Sequence, residues 1–178
     1  VCFVWVAAVS GDKLYLKGSH QGLDVEVVKD TWKEIQYIPM GVGTAIKANW
    51  DQIERLEYAE MKGSLYEQGE AYFKTRSYLK AAEKYYEMIK KFGKKYKWVN
   101  SYAGYKAGLC LYYMKEYEKA VKLFKLSSRE KDSHFEPDCL IMIGRCFLAL
   151  KQFEEAKKWL NSVSRSYGED KYLSLIHI

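Results

Sequence analysis

The sequence predicts an α+β chain in which a small antiparallel β meander or barrel is followed by an α-solenoid of about three helical hairpins. Two observations lead there. Between Asp12 and Tyr58 apolar and polar residues alternate with a period of two, as half-buried strands do. From Lys62 onward the period becomes helical, and one pattern of small and aromatic residues returns three times at fixed offsets. With 178 residues, 48% hydrophobic, 29% charged and only two prolines, the chain has material for one small module and a short repeat array.

Taken in order, the chain opens on a short apolar run, Phe3 to Val9. It ends in Ala8, Ser10 and Gly11, and reads either as the tail of a truncated signal peptide (1–10) or as a first strand. It is too short to span a bilayer. Cys2 is a conceivable lipid-attachment site. A small β domain is expected over 11–60, with strands in Lys13–Lys17, Leu23–Asp30, Trp32–Ile38 and Gln52–Tyr58. Gly18 to Gly22, Asp30-Thr31 and Gly41 with Gly43 supply turn chemistry. Lys47 to Ile53 reads as a short helical turn before the last strand. A sheet this small hides its edges by curling on itself. The module resembles SH3-like or Sm-like domains.

Residues 61–172 carry the repeats. Gly69 is followed at equal offsets by Tyr72, Tyr78, Ala81 and Tyr85; Gly108 by Leu111, Tyr117, Ala120 and Phe124; Gly144 by Phe147, Phe153, Ala156 and Leu160. Gly and Ala are each roughly a fourteenth of an average composition, so three coincident spacings are not expected by chance. A small residue on each of two helices lets their backbones approach, and aromatic residues fill the space beside the contact. The last hairpin is expected to end raw, with Trp159, Leu160 and Val163 awaiting a further helix. The final residues, 173–178, match the translated end of a sequencing adaptor and read as a tail foreign to the protein.

On these residues the chain resembles the tetratricopeptide repeat family, over about Lys62 to Gly168. It departs from that family where Leu65, Gly104 and Leu140 replace its Trp, and where Gln68, Ala107 and Ile143 replace the Leu before the small residue. The repeat spacing is 39 and then 36 residues, against about 34 in the common form. The surplus lies in Phe92–Trp98 and Ser128–Pro137, which predicts longer second helices or longer inter-repeat loops. The resemblance implies a concave groove lined by the first helix of each hairpin. By offset this lining is Tyr66, Glu70, Phe73 and Lys74, then Tyr105, Leu109, Tyr112 and Tyr113, then Ile141, Arg145 and Leu148. Such a surface suits a partner peptide with an acidic group.

Catalytic chemistry finds no footing. The three histidines, His20, His134 and His177, are scattered, Cys110, Cys139 and Cys146 read as buried thiols, and there is no CxxC, GxSxG, P-loop or GxGxxG. A bridge between Cys110 and Cys146, at equal offsets in successive repeats, is the alternative for the thiols. The expectation is a non-enzyme with no cofactor, metal or small-molecule substrate. Charge is uneven: six basic and nine acidic residues through Met61, 23 and 14 beyond it. Lys90, Lys91, Lys94, Lys95 and Lys97 cluster around Gly93. This patch is either a helix end that welcomes cations or a site for nucleic acid or an anionic membrane surface. The function expected is a protein-interaction scaffold of the bacterial cell envelope, periplasmic or secreted if the first residues are a signal and cytoplasmic if they are a strand. An outer-membrane assembly lipoprotein and a basic nucleic-acid-binding repeat protein are the alternatives.

Overall fold

The computed structural model describes residues 11–57, 64–94, 97–129 and 133–167. The expected signal segment, the foreign tail and Lys95 lie outside these. The chain divides into two compact units between Lys62 and Gly63.

The first unit is a five-stranded antiparallel sheet: β1 (Asp12–Leu16), β2 (Leu23–Asp30), β3 (Glu34–Pro39), β4 (Ile46–Asn49) and β5 (Ile53–Glu57), in the order β4-β3-β2-β1-β5. One face buries Leu14, Val25, Ile35, Tyr37, Ala48 and Ile53, as alternation requires. Three connections follow the expected chemistry. At Thr31 to Glu34, Thr31 Oγ1 donates to the Glu34 carbonyl at 2.8 Å and accepts from the Glu34 N–H at 3.1 Å. Gly18 and Gly41 take φ of 79° and 82°, which only glycine adopts without strain. The register of β2 shifts between Val27 and Lys29, and Asp12 Oδ2 accepts the Val27 N–H at the shift, at 3.0 Å.

Two expectations are corrected here. The sheet is not closed into a barrel: β4 and β5 stand at opposite edges. Short edge strands carrying Lys47, Arg55 and Glu57 blunt those edges without closure. Lys47 to Asn49, read as part of a helical turn, belong to β4, and the turn is confined to Trp50–Gln52. The strand is half polar and only four residues long, so its alternation is faint.

The second unit is six helices forming three hairpins: α1 (Ser64–Lys74) with α2 (Tyr78–Phe92), α3 (Lys97–Tyr113) with α4 (Tyr117–Ser127), and α5 (Glu136–Ala149) with α6 (Phe153–Tyr167). Each helix packs chiefly on its neighbours in sequence, with a lighter contact between α3 and α5. The surplus residues fall in two places. Eight residues separate α4 from α5, a long inter-repeat spacing as expected, but the first surplus is not confined to the stretch after the second helix. It also adds a turn to the front of α3, which has 17 residues against 14 in α5. Helix α5 begins with Pro137 in its first turn beside Glu136 and Asp138. A proline lacking its N–H and carboxylates near a helix N-terminus both favour that start.

The three hairpins share one turn. Ser77, Glu116 and Gln152 donate backbone N–H to Tyr72, Leu111 and Phe147 at 2.8, 2.9 and 2.9 Å. Arg76, Lys115 and Lys151 donate to Phe73, Tyr112 and Leu148 at 3.0, 2.9 and 2.9 Å. This pair of bonds is a Schellman cap, with the left-handed residue just past the first helix. That residue is Arg76, Lys115 or Lys151, at φ of 58°, 62° and 58°, where glycine is usual.

Candidate functional site

Within each hairpin the glycine marks the point of closest approach. A Cβ placed on Gly69 would lie 2.9 Å from the Tyr85 ring, on Gly108 2.5 Å from Phe124, and on Gly144 2.6 Å from Leu160. These are the residues sixteen positions further on in each repeat. Ala81, Ala120 and Ala156 are fully buried on the second helices, and Tyr78, Tyr117 and Phe153 open those helices.

Between hairpins the contacts differ. In the first interface Glu70 of α1 is the hub: the Tyr85 and Tyr102 hydroxyls donate to its Oε1 at 2.5 and 2.7 Å, and Lys106 Nζ lies 3.0 Å from the same oxygen. Burial pushes the Glu70 carboxyl up, but the tyrosine bonds and Lys106 outweigh it and hold the group below the usual carboxylate range. Burial, with the Glu70 charge beside them, pushes both phenols far up, so they remain donors. The second interface is apolar. There Val121, Phe124, Cys139, Met142, Ile143 and Cys146 form one buried cluster, against which Leu109, Tyr112 and Tyr117 pack. Cys110, Cys139 and Cys146 are buried free thiols, so no bridge joins Cys110 to Cys146. Burial pushes Cys110 and Cys146 up to about 12.

The residues expected to line a groove separate into three groups. Phe73, Tyr112 and Tyr113 form an aromatic belt with Tyr78 and Tyr117. Tyr78 stacks on Tyr113 at 4.9 Å, Phe73 meets Tyr113 edge-on at 6.1 Å, and Tyr112 meets Tyr113 and Tyr117 at 5.8 and 5.5 Å. Tyr113 is 51% exposed, and Lys74 is exposed beside the belt at the end of α1. Arg145 and Leu148 join Tyr112 at an open cleft of about 780 Å³, closed on the other side by Phe153, Lys157 and Leu160 of α6. Of the remaining five, four serve packing. Tyr66 leans on Tyr102 at 5.6 Å, Tyr105 stacks on Phe135 at 5.4 Å, and Leu109 lies against the second interface. Ile141 is 3% exposed and packs on Val163, so it offers no surface to a partner. Glu70, also placed in the groove by offset, spends its carboxylate within the protein.

Of the basic patch, Lys90, Lys91 and Lys94 are exposed around the end of α2, where Asn100 Nδ2 donates to the Gly93 carbonyl at 2.9 Å. Lys97 begins α3. The raw end predicted at Trp159, Leu160 and Val163 is corrected: Leu160 fills the space over Gly144, Val163 packs on Ile141, and Trp159 lies against the second interface. The exposed residue is Phe153, at 63%. Sequence reasoning missed Tyr102, Lys106 and Lys157, and it read Phe153 as repeat core where the structure leaves it exposed. Lys106 was findable, since Glu70 and Lys106 are opposite charges near the centres of successive first helices.

Residues 102–126, most of α3 with nearly all of α4, match the family model of the tetratricopeptide repeat. No curated protein matches the chain significantly. Among the described residues no helix is long and apolar enough to cross a membrane.

Proposed function

We propose, from the premise that this chain is a tetratricopeptide-like repeat protein with a small N-terminal β module, that it is a scaffold of the bacterial cell envelope that holds a partner protein segment. The repeat itself speaks for a protein-interaction scaffold, and no feature of the described residues points to catalysis. One observation carries the location of binding: the aromatic belt from Phe73 through Tyr113 to Tyr112, which leads to the cleft at Arg145 and Leu148. Half-exposed tyrosines present large apolar area with few rotatable bonds, and their hydroxyls still find donors and acceptors. Arg145 at the end of the belt favours a segment carrying an acidic group. The envelope assignment rests on the resemblance of Phe3 to Val9 to the end of a signal peptide.

The test is capture of partners from nuclease-treated lysate by the chain and by a Tyr112→Ser, Tyr113→Ser double variant whose melting is checked first. Neither substitution touches the Glu70 network. A protein retained by the first and lost by the second supports the belt. Equal retention by both refutes it, and loss with nuclease or moderate salt transfers the function to Lys90, Lys91 and Lys94.

A further inference from the structure

The turn shared by the three hairpins carries more than a cap. Its left-handed residue is a cation every time: Arg76, Lys115 and Lys151, at φ of 58°, 62° and 58°. Glycine takes that backbone without strain, and the chain does use glycine at positive φ in the sheet, at Gly18 and Gly41. A helix dipole favours a cation near the end of each first helix. It acts over the whole last turn, however, and does not ask for one at the single residue whose backbone disfavours a side chain. Strain kept at the same place in three hairpins points to use rather than to stability.

The three side chains are exposed, and among the described residues none of them enters an ion pair. Glu116, next to Lys115, is paired with Lys119 at 3.0 Å instead. Apolar surface gathers at the same tips. Two residues after each cation stands an aromatic ring, Tyr78, Tyr117 or Phe153. Leu79, Tyr113, Met114 and Phe153, each within three residues of a tip cation, are 61, 51, 37 and 63% exposed. The tips follow one another along one edge of the stack: Tyr78 stacks on Tyr113 at 4.9 Å, and Tyr112 shares the open cleft with Phe153.

Stacked hairpins place successive tips about one helix width apart, roughly 10 Å. An extended chain meets that spacing with every third residue. In a β-strand, residues three apart point to opposite faces. In a polyproline helix, three residues make one turn and advance about 9 Å, so every third side chain faces the same way. We propose that the row of tips binds a proline-rich acidic segment of a partner protein in polyproline conformation, with a carboxylate at every third position for Arg76, Lys115 and Lys151. The carboxylates answer the unpaired cations, and the exposed apolar side chains between them suit proline. This deepens the interaction role proposed above and rests on it.

The probe is a labelled peptide of four Glu-Pro-Pro triplets, titrated onto the chain at low salt beside a peptide of the same composition with its four glutamates in one run. The triplet peptide should bind at least about threefold more tightly. Glycine suits the backbone at each tip, so Arg76→Gly, Lys115→Gly and Lys151→Gly should keep or raise the melting temperature while each weakens the triplet peptide about two- to fivefold. The effect should be smallest at Lys151, which Glu154 and Glu155 follow in sequence, and the triple variant should lose at least about tenfold. Equal affinity for the two peptides, no binding of either, or undiminished binding by the triple variant overturns the proposal. So does binding to phosphatidylglycerol vesicles that the triple variant loses while neither peptide binds, which assigns the row to a membrane surface. Partner capture lost in the Tyr112→Ser, Tyr113→Ser variant but unchanged in the triple glycine variant removes this proposal alone. Capture lost in the triple variant and unchanged in the tyrosine variant moves the site from the belt to the tips.

Discussion

Replacing Gly108 by alanine sets two effects of opposite sign against each other inside one helix. In an unobstructed helix interior the change stabilises by about 1 kcal/mol, because glycine is the poorer helix former. Here the added Cβ would lie 2.5, 2.8 and 2.9 Å from three ring atoms of Phe124. Ordinary contact begins near 3.4 Å, so the ring must retreat by almost an ångström at its closest atom. Phe124 is fully buried, at the centre of the second interface, and has nowhere to go. Overpacking of this kind typically costs about 1–3 kcal/mol, so Gly108→Ala should destabilise by about 1–2 kcal/mol net of propensity. For a chain of this size that lowers the melting temperature by about 2–4 °C per kcal/mol. Reversible urea unfolding followed by circular dichroism reads the effect. The decisive arm is a cycle with Phe124→Ala, which removes all three ring atoms that crowd the glycine. In that background Gly108→Ala should be neutral or stabilising, a coupling of about 1 kcal/mol or more. If the alanine destabilises equally in both backgrounds, close approach is not why glycine occupies the position.

Three further outcomes are expected from the geometry. Glu70→Leu should destabilise by about 2–4 kcal/mol, because it leaves the Tyr85 and Tyr102 hydroxyls and Lys106 without their common acceptor; urea unfolding of the variant beside Lys106→Met and the double change will show whether the loss is shared. The lowered Glu70 carboxyl contributes stability that is complete above the unfolded carboxylate pKa of about 4.3 and is lost as pH falls through its folded value. At the other end, buried thiols and phenols stay protonated while the unfolded chain ionises from about pH 8.5 upward, so stability should fall as pH rises; denaturation midpoints across pH, with Glu70→Gln flattening the acid limb, check both signs. Lys115→Gly should raise the melting temperature slightly or leave it unchanged, and Lys115→Val should destabilise by about 1–2 kcal/mol, since a left-handed turn residue tolerates glycine and rejects a branched Cβ.

The hairpins were legible because their signal is redundant: glycine, alanine and the residue that covers the glycine recur at fixed offsets, and each pairs with another member of the set. The strands with buried alternation, at Leu14, Val25 and Ile35, were legible for a similar reason. What stayed hidden depended on neighbours. Ile141 and Arg145 lie four residues apart on the same stripe of α5, yet one is sealed under Val163 and the other opens on the cleft. Helical spacing alone does not distinguish them, because burial is decided by α6. Glu70 read as a groove residue until α2 supplied one hydroxyl, and α3 a second hydroxyl with an ammonium group. Closure of the sheet could not be read either, since it depends on whether β4 and β5 meet, which no local pattern encodes. The front of α3 was missed because its extra turn, starting at Lys97, comes after a run of lysines and a glycine that reads as loop.

Packing from neighbour to neighbour also sets how the helical unit comes apart. Among the described residues no central core ties α1 to α6, so hairpins at the ends can peel while the middle persists, and amide exchange should be graded along the array rather than uniform. The α1–α3 clasp through Glu70 is held by charge and hydrogen bonds, and the α3–α5 seam is held by oil. Acid strong enough to protonate Glu70, below the usual carboxylate range, therefore frays the array from its first hairpin, whereas cooling, which weakens apolar association, loosens it at the second seam. One short array thus has two weak points, each opened by a different change in its surroundings.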